Sequence, residues 1–288
     1  MDIIEPSRRE SFLKLLDDED HSVRRGLLDA FREHGDPANE FLAEVAGNDL
    51  RGLGKHARFF LRQLGQINTV SDFHEFIISM NYELETGCLL LERTVHASRE
   101  IEDYHKVLDD VAARVKELLV DGVSSVETCR VINRVLFHEF GFRGESEDFH
   151  NPENSFIGSV LERRKGIPIT LSAIYLMTAD RCGFQLEPVG FPSRFMVGCF
   201  QEPIPFFIDP FKGGSILSRG DIEEFLWENS ITPMDSYFQP TPVGEILCRC
   251  CRNLIQQYQL SGDSELSDRF ASFVDEFERV YREHSTME

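Results

Sequence analysis

Pro168, Arg194 and Asp209 stand, in that order, at the start of a helix-like run and on two strand-like runs after it. A helix followed by strands is one way to build a cysteine–histidine–aspartate site. A thiol at a helix N-terminus gains from the helix dipole and from the free amides of the first turn, which favour the thiolate. An imidazole on the following sheet takes the proton, and a carboxylate on the next strand orients that imidazole. Here the place of the thiol holds a proline. The place of the imidazole holds an arginine, whose guanidinium stays protonated at neutral pH and cannot act as a base. Only the acid, Asp209, has the chemistry required, so these three positions read as a degenerate triad with no catalytic residue expected.

No neighbouring side chain takes over the nucleophile's place. Thr170 is two residues on, turned ~200° around the helix axis, and Cys182 is about 21 Å along it. Cys199 falls on the opposite face of its strand from Arg194 and reads as a small buried hydrophobe. Ser155, after an asparagine, reads as a turn former or cap. Arg194 has three readings: a charge-assisted bridge to Asp209 across adjacent strands, an anion site at the helix start together with Arg163 or Arg164, or a surface arginine in neither role. His138 and His150 read as edge or loop histidines. The run CRCC puts Cys248, Cys250 and Cys251 at spacings that do not share one helical face, so no metal site and no cofactor are expected.

The elements that would position these residues are legible from periodicity. GESEDFHNPENSF (144–156) is a polar loop with Asn-Pro and Asn-Ser turn signals. The helix 168–182 opens on Pro168, where a missing N–H costs nothing, and stops at Gly183. Ile169, Leu171, Ala173, Ile174, Leu176 and Met177 leave it little polar surface, which predicts burial. The period then drops to two: LEPVGF, RFMVGCF and PFFIDPF read as three strands closed by a KGG turn. SRGDIEEFL restarts a helix, and the tail is two helices split by SGDSE. Upstream, Ile101, Tyr104, Leu108, Val111, Val115 and Leu118 form one stripe. A second runs through Cys129, Ile132, Leu136 and Phe140, with Ser124 and Glu127 at capping-box spacing.

The first seventy residues are helical throughout. VRRGLLDAFREHG (23–35) and LGKHARFFLRQLG (53–65) repeat one arrangement at a period of about thirty, with DPANEFLAEVAG between them, as stacked helical hairpins do. Fifty acidic against thirty basic residues give a net charge of −20. Such a surface repels phosphate backbones and anionic lipid, so neither nucleic acid nor membrane is an expected partner. The first residues are charged and read as no signal peptide, and seven scattered cysteines fit reduced thiols in a cytoplasm.

NRVLFHEFGFRG, DFHNPENSF, VLERRKGIPITLSAIYLMTADRCGF, VGFPSRFMVG and FIDPFKGG together resemble the bacterial SirB-type invasion-regulator family over about residues 80–260. The wording DDEDHSVRRGLLDAFREHGDP is similar to HEAT repeats. The SirB-type resemblance implies a transglutaminase-like core of the papain-like cysteine protease superfamily and a tetratricopeptide-like tail in CRCCRNLIQQYQLSGDSE. The family usually carries proline at the nucleophile's place and keeps a histidine in FPxHF, which this chain writes FPSRF. A eukaryotic F-box protein shares the core, which implies binding rather than turnover. The fold expected is α+β and mostly helical: a helical segment 1–70, a core with a small antiparallel sheet over 71–235, and a helical tail 236–288. The function expected is a protein- or peptide-binding regulatory module with Asn154, Glu162, Arg163, Arg164, Arg194 and Asp209 about its cleft. The alternative is a hydrolase or transferase using the residual cleft around Asp209, Glu162 and Arg194.

Overall fold

Apolar residues recurring every three to four positions make helices of most of the chain, and the change to a period of two after Gly183 makes the sheet. The structure, a computed structural model, describes residues 5–18, 20–48, 52–65, 68–97, 99, 101–120, 122–192 and 194–285. The chain forms two units, residues 1–72 with 93–100, and residues 73–92 with 101–288.

The first unit holds α1 (Pro6–Leu15), α2 (His21–His34), α3 (Asp36–Asn48) and α4 (Gly54–Gln63). α2 begins at Asp20, whose carboxylate accepts from the amides of Ser22 at 2.8 Å and Val23 at 3.3 Å. It ends at Gly35, where φ is +59°, a conformation that costs glycine nothing. Phe31, Leu42, Val45 and Ala57 are fully buried between the helices, and the rings of Phe31 and Phe60 meet edge-on at 5.1 Å.

α5 (Thr69–Ser79) carries the chain from the first unit into the second, which includes α6 (Leu84–Arg93) as far as Glu92 and continues through α7 (Ile101–Leu118) and α8 (Ser125–Asn133). The hydroxyl of Ser124 accepts from the Glu127 amide at 3.3 Å and starts α8. The helix then widens over Arg134–Glu139 into a π-turn, closed by the Phe140 amide on the Val135 carbonyl at 2.8 Å. The wider turn rotates the residues after it away from the apolar stripe: Cys129, Ile132 and Leu136 are buried, while Phe140 is half-buried.

β1 (Arg143–Gly144) pairs in parallel with β2 (Lys165–Gly166), and α9 (Ile157–Arg163) lies between them in sequence. The N-cap of α9 is Phe156, which has no side-chain acceptor. The Gly158 amide donates instead to the buried carboxylate of Glu92, which also accepts from the Tyr104 hydroxyl at 3.3 Å. α10 (Pro168–Arg181) is buried along nearly its whole length. Each buried Leu, Ile or Met there is worth ~1.5–3 kcal/mol, and this makes α10 the fixed reference for the site. Its C-terminal end is held by Arg181, which donates to both oxygens of Glu85 at 2.6 Å and to Asp109 at 2.8 Å.

β3 (Glu187–Phe191), β4 (Arg194–Cys199), β5 (Phe206–Asp209) and β6 (Ser215–Leu217) form one antiparallel sheet in that order. The alternating pattern shows three of these. β6 is too short, at three residues after Gly213 and Gly214, to alternate visibly. The architecture is α+β, mostly helical with a small antiparallel sheet. Val189, Phe191, Met196 and Phe207 share one core cluster with Ile222 and Leu226 of α11 (Arg219–Glu228). Ser172 of α10 donates to the Phe195 carbonyl at 3.3 Å, tying that helix to β4. α12 (Val243–Ser261) and α13 (Ser264–Ser285) complete the second unit.

Candidate functional site

Register decides where the acid and the arginine meet. Val197 pairs with Ile208, so one step further Asp209 stands opposite Met196, and Arg194 lies two residues away on the same face. Such diagonal neighbours are within reach of a long side chain. Arg194 Nη1 donates to Asp209 Oδ2 at 3.1 Å. The other carboxylate oxygen accepts from the amides of Phe211 at 3.1 Å and Lys212 at 3.3 Å and starts a 3-10 turn over Pro210–Lys212. Burial pushes the Asp209 carboxyl up, and the Arg194 charge and the Lys212 and Phe211 amides oppose it. The Arg194 guanidinium also lies over the Phe225 ring at 4.1 Å. Its charge and its flat face are therefore both engaged by the protein itself.

A cleft of ≈ 180 Å³ opens beside this pair. The start of α10 contributes Ile167, Pro168 and Ile169, and β4 contributes Arg194 and Phe195. The loop before α9 contributes Phe149 and His150. The far wall is α12, with Arg249, Asn253, Gln256 and Gln257. Pro168 and Arg194 thus border one cleft, and Asp209 stands behind Arg194. Thr170 turns away and donates to the carbonyls of Asn154 at 2.8 Å and Ile167 at 3.1 Å. Ser155 donates to Gln257 at 2.8 Å, which fixes the base of α12 to the loop.

The remaining residues expected about the cleft lie elsewhere. Asn154 is buried behind it: its amide donates to the Asp148 carbonyl at 2.6 Å, and its own carbonyl receives Thr170. It positions the Phe149–His150 segment without lining the cleft. Glu162 and Arg163 fall at the exposed end of α9, and Arg163 reaches back to the Asn154 side chain. Arg164 adopts φ +60°, which carries its side chain onto the rings of Phe142 at 4.7 Å and Phe140 at 5.8 Å. Burial lowers its guanidinium. None of these three lines the cleft, because α9 ends in a left-handed turn that directs them away from the start of α10. Neither Arg163 nor Arg164 stands beside Arg194 in the lining of this cleft.

The α12 wall is what sequence reasoning missed. Positions 249, 253, 256 and 257 recur at the i, i+4, i+7, i+8 spacing of one helical face, a polar stripe beside the apolar one that periodicity picks out first. Arg249 Nη2 donates to the carbonyls of Phe191 at 2.9 Å and Arg194 at 3.3 Å, and burial pulls its guanidinium down. The CRCC thiols face inward: Cys248, Cys250 and Cys251 are buried, and burial pushes Cys248 to about 11 and Cys250 to about 12. Cys199 is likewise buried, and His138 is exposed on the π-turn.

A buried helix whose first turn meets an antiparallel sheet, with a carboxylate on the strand beside the one that faces it, defines a transglutaminase-like core. Residues 102–252 match the transglutaminase-like superfamily, and the chain belongs to it. It is similar to a UPF0162 protein of Vibrio cholerae, 29% identical over 145 residues, covering 50% of this chain and 53% of that one. It is similar also to a UPF0162 protein of Xylella fastidiosa, 34% identical over 133 residues, covering 44% and 47%. F-box only protein 21 of Mus musculus is 33% identical over 150 residues, covering 46% of this chain and 23% of that one. The chain thus spans about half the length of these bacterial relatives and under a quarter of the F-box protein. No solved structure matches it. Among the described residues no helix is long and apolar enough to cross a membrane.

Proposed function

We propose that this chain is a catalytically degenerate transglutaminase-like module that binds a protein or peptide partner in the cleft beside α10. The observation that carries the reading is the cleft's lining. Its described residues include no Cys, Ser, Thr, Lys, Tyr, Asp or Glu, so apart from the imidazole of His150 no side chain there has a nucleophilic atom, and His150 has no thiol or hydroxyl beside it to activate. On this reading Pro168, Arg194 and Asp209 occupy the places of nucleophile, base and orienting acid. The enzymatic alternative has less support, because Glu162 lies at the exposed end of α9 and not in the cleft. The resemblance to SirB-type regulators, the HEAT-like pair in residues 1–70 and the tetratricopeptide-like tail in 236–288 suit a protein-binding role. Likeness to an F-box only protein points the same way. Seven free cysteines, six of them buried, suit the reducing cytoplasm.

The test is affinity purification of the tagged chain from its own host beside the variant Gln256→Trp. Gln256 is exposed on α12 at the cleft wall, so an indole there obstructs the cleft without entering the core. A partner recovered by the wild type and lost from the variant supports the reading. An identical set of partners overturns it.

A further inference from the structure

The cleft differs in charge from the protein that surrounds it. The chain has twenty more acidic than basic residues, yet the lining has no carboxylate and includes Arg194, Arg249 and His150 beside the carboxamides of Asn253, Gln256 and Gln257. The two guanidiniums differ in state. Arg194 is matched by Asp209. Arg249 forms no ion pair with any described residue: its Nη2 serves two neutral carbonyls, and its plane lies 5.6 Å over the Phe195 ring. A guanidinium keeps its charge under such burial, and carbonyl partners do not neutralise it. Its Nε and Nη1 still carry protons and donate to no described residue.

We propose that the cleft captures the carboxylate of a peptide partner, with Arg249 as its counter-ion and with Asn253 and Gln256 as supporting amide donors. This rests on the peptide-binding reading above and names the group recognised. Three observations fix the chemistry. With Arg194 paired to Asp209, Arg249 is the guanidinium of the lining that forms no ion pair among the described residues, and one such charge matches a monoanionic carboxylate better than a phosphate, whose charge is nearer −2. Nη2 is already given to carbonyls, and a remaining guanidinium N–H can make one charge-assisted hydrogen bond to a carboxylate oxygen. The cleft, at ≈ 180 Å³, is small beside the ~300–1,000 Å³ of sites that enclose a whole small molecule. It therefore takes a chain end or one acidic side chain, whose apolar part meets Phe149 and Phe195. Everywhere else the net charge of −20 repels an acidic peptide, so attraction here is local.

The full chain, labelled with 15N at arginine, is titrated with three pools of acetylated hexapeptides built from non-acidic residues. One pool has a free C-terminus, one is amidated, and one is amidated with a single fixed glutamate. Arg249 Nε–Hε shifts report the site, and the free-acid and glutamate pools distinguish a terminal from a side-chain carboxylate. A charge-assisted hydrogen bond predicts that at least one acidic pool binds about tenfold tighter than the amidated pool. Gln256→Glu, an exposed substitution that places a carboxylate in the cleft, is expected to weaken that binding at least about fivefold, the ~1 kcal/mol scale of a close like-charge contact. Equal binding of acidic and amidated pools overturns the carboxylate while leaving peptide binding in place. Failure of every pool overturns both. Acidic binding that Gln256→Glu does not weaken, or a larger Arg249 shift with inorganic phosphate than with acetate, also overturns the proposal.

Discussion

Arg194→Met, Asp209→Asn and the double substitution form a cycle that measures what fastens the end of the sheet to its 3-10 turn. Asp209 is 1% exposed and Arg194 19%. Removing the guanidinium leaves a carboxylate in the interior with two amides, those of Phe211 and Lys212. Breaking a buried pair from one side costs about 3–5 kcal/mol. The lower figure applies here, since the amides remain and methionine can still cover Phe225. Asp209→Asn keeps an oxygen for the amides but removes the charge, at a cost of about 2 kcal/mol. Independent effects would add to about 5 kcal/mol, whereas a pair coupled by about 2 kcal/mol brings the double variant near 3. At about 2–4 °C per kcal/mol for a unit of this size, the double variant melts about 4–8 °C above the additive value. The carboxyl sets the sign with pH. Burial raises Asp209 in the folded state, so stability from its protonated form is present at low pH and lost as the pH rises through that raised value. Removing the opposing Arg194 charge enlarges this effect. The deficit of Arg194→Met is therefore largest near neutral pH and shrinks toward the ordinary carboxylate range. Denaturant unfolding of the four proteins at about pH 7.5 and about pH 5 measures it. Additivity to within about 0.5 kcal/mol, or a deficit that does not change with pH, would refute the coupling.

Four further outcomes are expected. The Lys165 ammonium at 2.8 Å and the amides of Asp148 and Glu147 hold the Glu145 carboxyl at about 2. Its contribution is thus present above the ordinary carboxylate value and lost as the pH falls toward about 2. Glu145→Gln should flatten that part of the acid-unfolding curve, and an unchanged curve rules the contribution out. Gly26 in α2 has open space around it, so Gly26→Ala stabilises the first unit by about 0.5–1 kcal/mol. Gly158→Ala places a methyl 2.2 Å from Tyr104 Cζ and 2.5 Å from Glu92, and destabilises by about 1–3 kcal/mol or more; equal denaturation midpoints for the two variants would contradict both. Pro168→Cys with Arg194→His sets a thiol at the start of α10 across the cleft from an imidazole, and a helix start with such a partner pulls a thiol from ~8.5 to below 7. That cysteine should react with iodoacetamide at about pH 6, where burial keeps Cys88, Cys129, Cys182, Cys248, Cys250 and Cys251 protonated. A pH profile identical to that of Pro168→Cys alone would mean that positions 168 and 194 do not meet.

The sequence by itself determined the elements and the chemistry that the middle of the chain lacks. Local signals suffice for that. Proline at the first position of α10, glycine at +70° after it and the uninterrupted apolar run between them define a buried helix wherever it packs. Alternation after Gly183 does the same for β3, β4 and β5. Residue type alone says that Pro168 has no nucleophilic atom and that Arg194 is no base. Asp209 and Arg194 read as partners because a two-residue period on neighbouring antiparallel strands leaves few registers open to them. Short features without a period of their own stayed illegible: the three-residue strand β6, and the π-turn at Arg134–Glu139, where one wider turn rotates Phe140 out of its stripe.

Tertiary structure alone decided the membership of the cleft. Glu162, Arg163 and Arg164 are close to Pro168 in sequence and were expected beside it. A left-handed residue at 164 ends α9 and sends them elsewhere, and a single backbone angle of that kind leaves no periodic trace in the residues around it. Arg249, Asn253, Gln256 and Gln257 lie more than eighty residues after Pro168, yet they form its facing wall. Their spacing shows that they share a helical face, but spacing within one helix says nothing of what that face meets. That is settled by contacts distant in sequence, such as Ser155 on Gln257 and Arg249 on the carbonyls of Phe191 and Arg194. These bonds form only once sheet, loop and helix are packed together, and they decide where the Arg249 guanidinium stands.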